Sequence, residues 1–135
     1  MTHLIATALP YIPPSPKWLE MGTMIKYFPN LGYWQQYASE AGPIQSHTQD
    51  ATAMKTFLNA EYLGTTASGK LAFDPTSGVD FDLAKSLSHT TVMSEDELDY
   101  YGKEYLRNGL EGPCTCKSFD SWNHDLAIPL SLHRR

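Results

Sequence analysis

Proline and glycine interrupt this chain so often that only short regular elements can form. The sequence contains nine prolines and nine glycines in 135 residues. Proline lacks a backbone donor and disfavours helix in the preceding residue, and glycine weakens the interior of a helix. No segment shows the alternation of apolar and polar residues that is typical of strands. The sequence therefore predicts a mainly α fold, with several short helices joined by loops rich in proline and glycine and without a parallel sheet.

The strongest helix signal covers residues 94–108. Ser94 and Glu97 have the spacing of a capping box. Acidic residues fill the first turn, where they complement the helix dipole, and Gly109 is placed to end the helix. The spacing places three apolar or aromatic residues on one face of this helix: Leu98, Tyr101 and Tyr105.

A second helix is predicted from about Thr48 to Tyr62. Ser46 and Gln49 have capping-box spacing, and Gly64 would end the helix. The pattern places five residues on its apolar face: Ala51, Met54, Phe57, Leu58 and Tyr62.

The remaining segments predict shorter elements. Residues 1–17 read as extended chain, and short helices are predicted over 17–28 and 81–87, the latter with Asp80 near its N-cap. Residues 65–80 are rich in Thr, Ser, Gly and Pro and are predicted to form a loop.

Composition and charge argue against several classes of function. The formal net charge is −5, so no basic surface for nucleic acid is expected. No apolar run has the length of a membrane span, and the first residues lack the basic start of a signal peptide. Cys114 and Cys116 are too close for an unstrained disulfide, and His47 and His89 have no metal ligands at suitable spacing. We expect a cytoplasmic protein without cofactor or metal.

Three segments together resemble the lid of epoxide hydrolases, which are members of the α/β-hydrolase superfamily. The proline-rich segment 11–16 resembles the exit from the nucleophile domain into the lid, and residues 28–37 resemble the segment holding the first lid tyrosine. Residues 94–113 resemble the helix of the second lid tyrosine and the Gly-x-x-Gly-Pro turn after it. The order and separation of these segments, over about residues 4–113, resemble fungal epoxide-hydrolase-like proteins of secondary metabolism or toxin biosynthesis.

This resemblance implies that Tyr33 and Tyr101 are the catalytic tyrosines. In the family an aspartate attacks an epoxide carbon, a His–acid pair activates water to hydrolyse the resulting ester, and two lid tyrosines bind the epoxide oxygen. Tyr100 is a rival to Tyr101, shifted by one residue; the shared face with Leu98 favours Tyr101. The alternative role of Tyr33 and Tyr101 is packing alone. The implied ligand is a lipophilic epoxide or an ester-like small molecule.

Other family features are expected to be missing. Only about ten residues precede the proline-rich segment, so the nucleophile elbow should not be present. Gly78-Val79-Asp80 resembles the nucleophile elbow, but it lies between the two tyrosines and not before them. His124 is not expected to be the catalytic histidine, because in the family that histidine follows over a hundred further residues of sheet and helix. We expect a lid-like domain over 1–113 and a divergent, irregular tail over 114–135, produced by a changed reading frame or an unspliced intron.

These expectations leave three functions open. The chain could supply the two tyrosines to a hydrolase domain in a second polypeptide, and alone it is expected to be inactive. It could instead be a non-catalytic module that binds a small molecule or a partner through its aromatic surface. It could also be a remnant without activity. Whether the isolated chain is an enzyme is not decided by the sequence.

Overall fold

The computed structural model describes residues 20–39 and 42–115. This part of the chain is mainly α, as the sequence predicts, with one short antiparallel hairpin. The elements in chain order are α1 (Met21–Tyr27), a 3-10 turn (Pro29–Leu31), α2 (Tyr33–Tyr37), α3 (Pro43–Ser46), α4 (Ala51–Glu61), β1 (Phe73–Asp74), β2 (Gly78–Val79), α5 (Phe81–Ala84), α6 (Glu95–Asn108) and α7 (Glu111–Thr115).

Helices α4 and α6 pack against each other at the centre of the described fold. Leu98 of α6 is 1% exposed and lies in the same buried cluster as Met54 and Leu58 of α4. Gly102 of α6 is buried at this contact, and a Cβ there would lie 3.7 Å from the Cβ of Lys55, at ordinary van der Waals distance. Lys55 also forms ion pairs with Glu95 and Asp99 at the edge of this contact.

The predicted start and end of α6 are confirmed. The Ser94 hydroxyl accepts a hydrogen bond from the Glu97 backbone N–H at 3.3 Å, and the Glu97 carboxylate accepts from the Ser94 N–H at 2.8 Å. The bonds from Ser94 lower the pKa of Glu97, because they favour the charged carboxylate. Gly109 follows the helix with φ of 75°, a conformation that favours glycine.

The predicted start of α4 is wrong. Ser46 and Gln49 form no capping box; the helix begins at Ala51, and the Asp50 side chain accepts a hydrogen bond from the Ala53 N–H at 2.8 Å. Pro43 starts a separate helical turn that ends at Ser46, so the chain turns once more before α4. The buried face is also narrower than predicted, because Ala51 and Tyr62 at its two ends are exposed.

The segment 65–80 contains a hairpin that the sequence did not predict. Phe73 pairs with Val79 and Asp74 with Gly78. Inside the turn the Asp74 carboxylate accepts hydrogen bonds from the Thr76 hydroxyl and, at 2.7 Å, from the Thr76 N–H, and these bonds, the hydroxyl first, lower the pKa of Asp74. The turn-forming residues of this segment thus connect two paired strands. Each strand has only two residues, which is too short to show an alternation of apolar and polar residues.

Asp80 caps α5 as predicted. Its carboxylate accepts hydrogen bonds from the backbone N–H groups of Asp82 at 3.0 Å and Leu83 at 2.9 Å. This capping role accounts for an acidic residue directly after β2.

In the Gly-x-x-Gly-Pro segment, Gly109 and Leu110 separate α6 from α7, whereas Gly112 and Pro113 lie inside α7. Proline is tolerated in a first helical turn, and α7 places Cys114 in the buried cluster. The predicted boundary between residues 113 and 114 lies within this helix and stays a prediction. The extended segment 1–17, Cys116 and His124 lie outside the described residues.

Within the described ranges, no helix is long and apolar enough to cross a membrane.

Candidate functional site

The hairpin β1–β2 holds the short helix that begins with Tyr33. The Tyr33 N–H donates a hydrogen bond to the Pro75 carbonyl at 3.1 Å. Directly before it, Gly32 lies so close to the turn that a Cβ there would overlap the carbonyl oxygen of Thr76. Glycine at position 32 therefore permits the contact that places Tyr33.

Gln36 attaches the same helix to strand β2. Its amide nitrogen donates to the Val79 carbonyl at 2.8 Å, and its amide oxygen accepts from the Val79 N–H at 2.8 Å. The side chain thereby satisfies both backbone groups of Val79, as a neighbouring strand would. Gly78 beside it has φ of 94° and leaves room for the amide oxygen.

The ring of Tyr33 lies in an aromatic cluster, which we call the Tyr33 cluster: Tyr33, Trp34, Tyr37 and Phe73. Its ring centre is 5.5 Å from that of Phe73 and 5.7 Å from that of Tyr37, both in edge-to-face geometry. Trp34 approaches at 6.4 Å. Such contacts restrict the ring and leave Tyr33 half-buried.

Tyr37 is bonded to a carboxylate of the central helix. Its hydroxyl donates to Oε1 of Glu61 at 2.5 Å. Burial, and then the adjacent Glu61 charge, raise the pKa of Tyr37 well above its usual range. Cys114 and Tyr33 act in the same direction. The Tyr37 phenol therefore stays protonated and acts as a hydrogen-bond donor.

Tyr101 belongs to a second group on α6 and the end of α4, which we call the Tyr101 group: Tyr62, Tyr100, Tyr101 and Tyr105. Tyr101 is 43% exposed and its ring contacts that of Tyr100 at 5.4 Å. Partial burial, followed by the neighbouring phenols of Tyr105 and Tyr101, raises the pKa of Tyr62. Tyr101 shares the apolar face of α6 with Leu98 by its spacing, but it is exposed and does not belong to the buried cluster that contains Leu98.

Tyr33 and Tyr101 are not in direct contact. Within residues 20–39 and 42–115, no ring contact joins them. The Glu61 carboxylate accepts the hydrogen bond of Tyr37 in the Tyr33 cluster, and Glu61 directly precedes Tyr62 of the Tyr101 group.

Four residues contact the tyrosines or the elements that carry them, and the sequence did not predict these contacts: Gln36, Tyr37, Glu61 and Tyr62. Tyr37 carries a usable signal, since it follows Tyr33 by about one helical turn and must share its face. Gln36 and Glu61 act on partners more than 20 residues away, at separations of 43 and 24. Local patterns carry no signal for such pairs.

The two histidines singled out in the sequence have other contacts. His47 stacks on Phe81 with ring centres 4.1 Å apart, and His89 lies 2.8 Å from the Met93 carbonyl and 3.0 Å from the Glu95 carboxylate. In the described residues no group of three or more His, Cys, Asp or Glu side chains could hold a metal ion.

Comparison with known proteins shows a similarity to a fungal enzyme. The chain is 30% identical over 132 residues to the epoxide hydrolase srdG of Neurospora crassa. The sequence is related to a fungal epoxide hydrolase. The match covers 95% of the chain, which spans 38% of the length of that relative. No protein-family model matches the sequence.

Proposed function

We propose that this chain is the lid-forming part of an epoxide hydrolase of the α/β-hydrolase superfamily, and that Tyr33 and Tyr101 bind the epoxide oxygen while the ring opens to a diol. The observation that carries the proposal is the similarity to the Neurospora crassa epoxide hydrolase over 95% of the chain. The mainly α fold is consistent with a lid.

Phenols suit the proposed chemistry. With an ordinary pKa of about 10, a tyrosine is protonated at neutral pH and can donate a hydrogen bond to the epoxide oxygen. As the carbon–oxygen bond breaks, the oxygen becomes a basic alkoxide and the donated bonds strengthen; one phenol then transfers its proton to that oxygen to give the hydroxyl, and solvent water returns a proton to the phenolate. Tyr33 is held by the hairpin, and Tyr101 is exposed enough to meet a ligand.

The remaining steps are assigned to a hydrolase domain that acts with this chain. Its aspartate would attack the epoxide carbon and form an ester, and its His–acid pair would activate the water that hydrolyses the ester. We assign this chain to oxygen binding only. Secondary metabolism in the cytoplasm is the proposed setting, and a lipophilic epoxide is the proposed ligand.

The purified chain is expected to bind styrene oxide more tightly than phenylcyclopropane. The two probes have the same shape, but the second carries CH2 in place of the epoxide oxygen. Two net hydrogen bonds of about 1 kcal/mol each predict a preference of roughly ten- to thirtyfold. Dissociation constants measured by tyrosine and tryptophan fluorescence give this preference directly.

Matched variants assign the preference to individual residues. Tyr33→Phe and Tyr101→Phe should each reduce it several-fold, and the double variant should abolish it. Tyr27→Phe, at a tyrosine that is 73% exposed on α1, should leave it unchanged. A loss in Tyr100→Phe without a loss in Tyr101→Phe would transfer the role to Tyr100.

A second candidate function is apolar binding without catalysis. It is favoured by the exposed aromatic surface of the Tyr101 group, in which Tyr100 is 60% exposed. This function predicts equal affinity for styrene oxide and phenylcyclopropane, since neither the epoxide oxygen nor a phenol donor takes part. Equal affinities in the wild-type chain would therefore replace the first proposal with the second.

A further inference from the structure

The hydrogen bond between Tyr37 and Glu61 connects the helix that carries Tyr33 to the central helix α4. The hydroxyl oxygen and the carboxylate oxygen are 2.5 Å apart, and the two residues are 24 positions apart in the chain. Both residues are half-buried. A carboxylate acceptor gives a stronger bond than a neutral one, so this contact fixes the side chain of Tyr37 firmly.

Tyr37 in turn contacts the ring of Tyr33. The two rings meet edge to face, 5.7 Å apart and 87° from coplanar, on adjacent turns of α2. Phe73 contacts Tyr33 at 5.5 Å with an interplanar angle of 71°. The orientation of the Tyr33 ring therefore depends on Tyr37, whose own orientation is set by Glu61.

Glu61 is also followed directly by Tyr62, which belongs to the Tyr101 group. A shift of α2 relative to the end of α4 would change the separation of Tyr33 and Tyr101. A fixed separation matters, because two donors can bind one small oxygen atom only in a narrow range of geometry.

We propose that Tyr37 and Glu61 are positioning residues, which hold the Tyr33 phenol in the orientation that meets the epoxide oxygen. This inference rests on the proposed function, and it adds two residues that do not touch the ligand. Tyr37 donates its own hydroxyl to Glu61, so we assign it no contact with the ligand.

The test compares three variants of the full chain. Tyr37→Phe and Glu61→Leu remove the bond, whereas Glu61→Gln keeps an acceptor oxygen at the same place. The first two are expected to lower the preference for styrene oxide over phenylcyclopropane several-fold, and by no more than Tyr33→Phe does, because the effect passes through the Tyr33 hydroxyl. Glu61→Gln should retain most of the preference. Glu20→Gln and Tyr27→Phe, at exposed sites, are the matched controls.

A merely structural role is distinguished by two further readouts. In a Tyr33→Phe background, Tyr37→Phe should cause no additional loss of preference, because its effect passes through the Tyr33 hydroxyl. The 13Cζ resonance of Tyr33 should move in Tyr37→Phe and in Glu61→Leu, and only slightly in Glu61→Gln.

Each outcome decides the proposal. An unchanged Tyr33 resonance in the folded Tyr37→Phe and Glu61→Leu variants overturns it, as does an additive loss in the Tyr33→Phe background. If the wild-type chain shows no preference for styrene oxide, the proposed function fails, and the Tyr33 resonance alone decides whether Tyr37 and Glu61 position the ring. If Glu61→Leu does not fold, Tyr37→Phe and Glu61→Gln carry the test.

Discussion

Leu98→Ala is expected to lower the free energy of unfolding by about 2–5 kcal/mol, the usual range for removing a buried leucine side chain. Leu98 is 1% exposed and lies in the core between α4 and α6. The substitution removes buried apolar surface and leaves a cavity between two helices that cannot easily close. Urea unfolding followed by circular dichroism measures this change.

Leu106→Ala on the same helix is the matched control. Leu106 is 37% exposed, so its truncation should cost less than about 1 kcal/mol. Similar losses in the two variants would mean that α6 does not pack on α4 through the face of Leu98.

Gly32→Ala is expected to destabilise the chain by about 3 kcal/mol, near the upper end of the effect of overpacking. The added Cβ would overlap the Thr76 carbonyl oxygen, which is backbone and cannot swing away. The turn must separate from α2, and this movement strains the Tyr33–Pro75 bond and the pair of bonds between Gln36 and Val79. The preference for styrene oxide should fall together with stability, because the hairpin places Tyr33.

Gly22→Ala makes the same chemical change on α1, where no atom lies within 4 Å of the new Cβ. It should be neutral or stabilise the chain by up to about 1 kcal/mol, because alanine favours helix more than glycine does. Urea unfolding of the two variants gives the comparison. A Gly32→Ala variant as stable as Gly22→Ala would contradict the contact between α2 and the hairpin.

The sequence predicts an element well where its signals are local. For α6, the capping box of Ser94 and Glu97 and the glycine at 109 all lie within or beside the helix, and all are confirmed. Asp80 at the start of α5 is a second local signal that is confirmed. These contacts join residues within four positions of each other, so their spacing in the sequence is sufficient to find them.

The sequence fails where distant contacts or competing turns decide the structure. Ser46 and Gln49 match a capping box, but Pro43 starts a separate turn and Asp50 provides the cap of α4. The hairpin strands have two residues each, which is too short for an alternating pattern, and Gln36 stabilises β2 from 43 positions away. The hairpin is thus stabilised by contacts between distant residues, which the periodicity of the sequence does not reveal.

For the candidate site too, the sequence predicted one part and not another. The order of the tyrosine-bearing segments led to an epoxide hydrolase, and the relative in Neurospora crassa supports that relationship. The roles of Tyr33 and Tyr101 stay predictions. The structure adds their surroundings: a half-buried Tyr33 on a helix held by the hairpin, an exposed Tyr101, and a hydrogen bond from Tyr37 to Glu61.

The central claim is that Tyr33 and Tyr101 bind the same epoxide oxygen. It is tested most directly by titrating the chain, with all eight tyrosines 13Cζ-labelled, with styrene oxide and, separately, with phenylcyclopropane. Single Tyr→Phe variants assign the resonances. We expect the Tyr33 and Tyr101 resonances to shift with one common dissociation constant in styrene oxide, and to show no comparable shift in phenylcyclopropane. Equal shifts with both probes, or saturation of the two tyrosines at different concentrations, would contradict the claim.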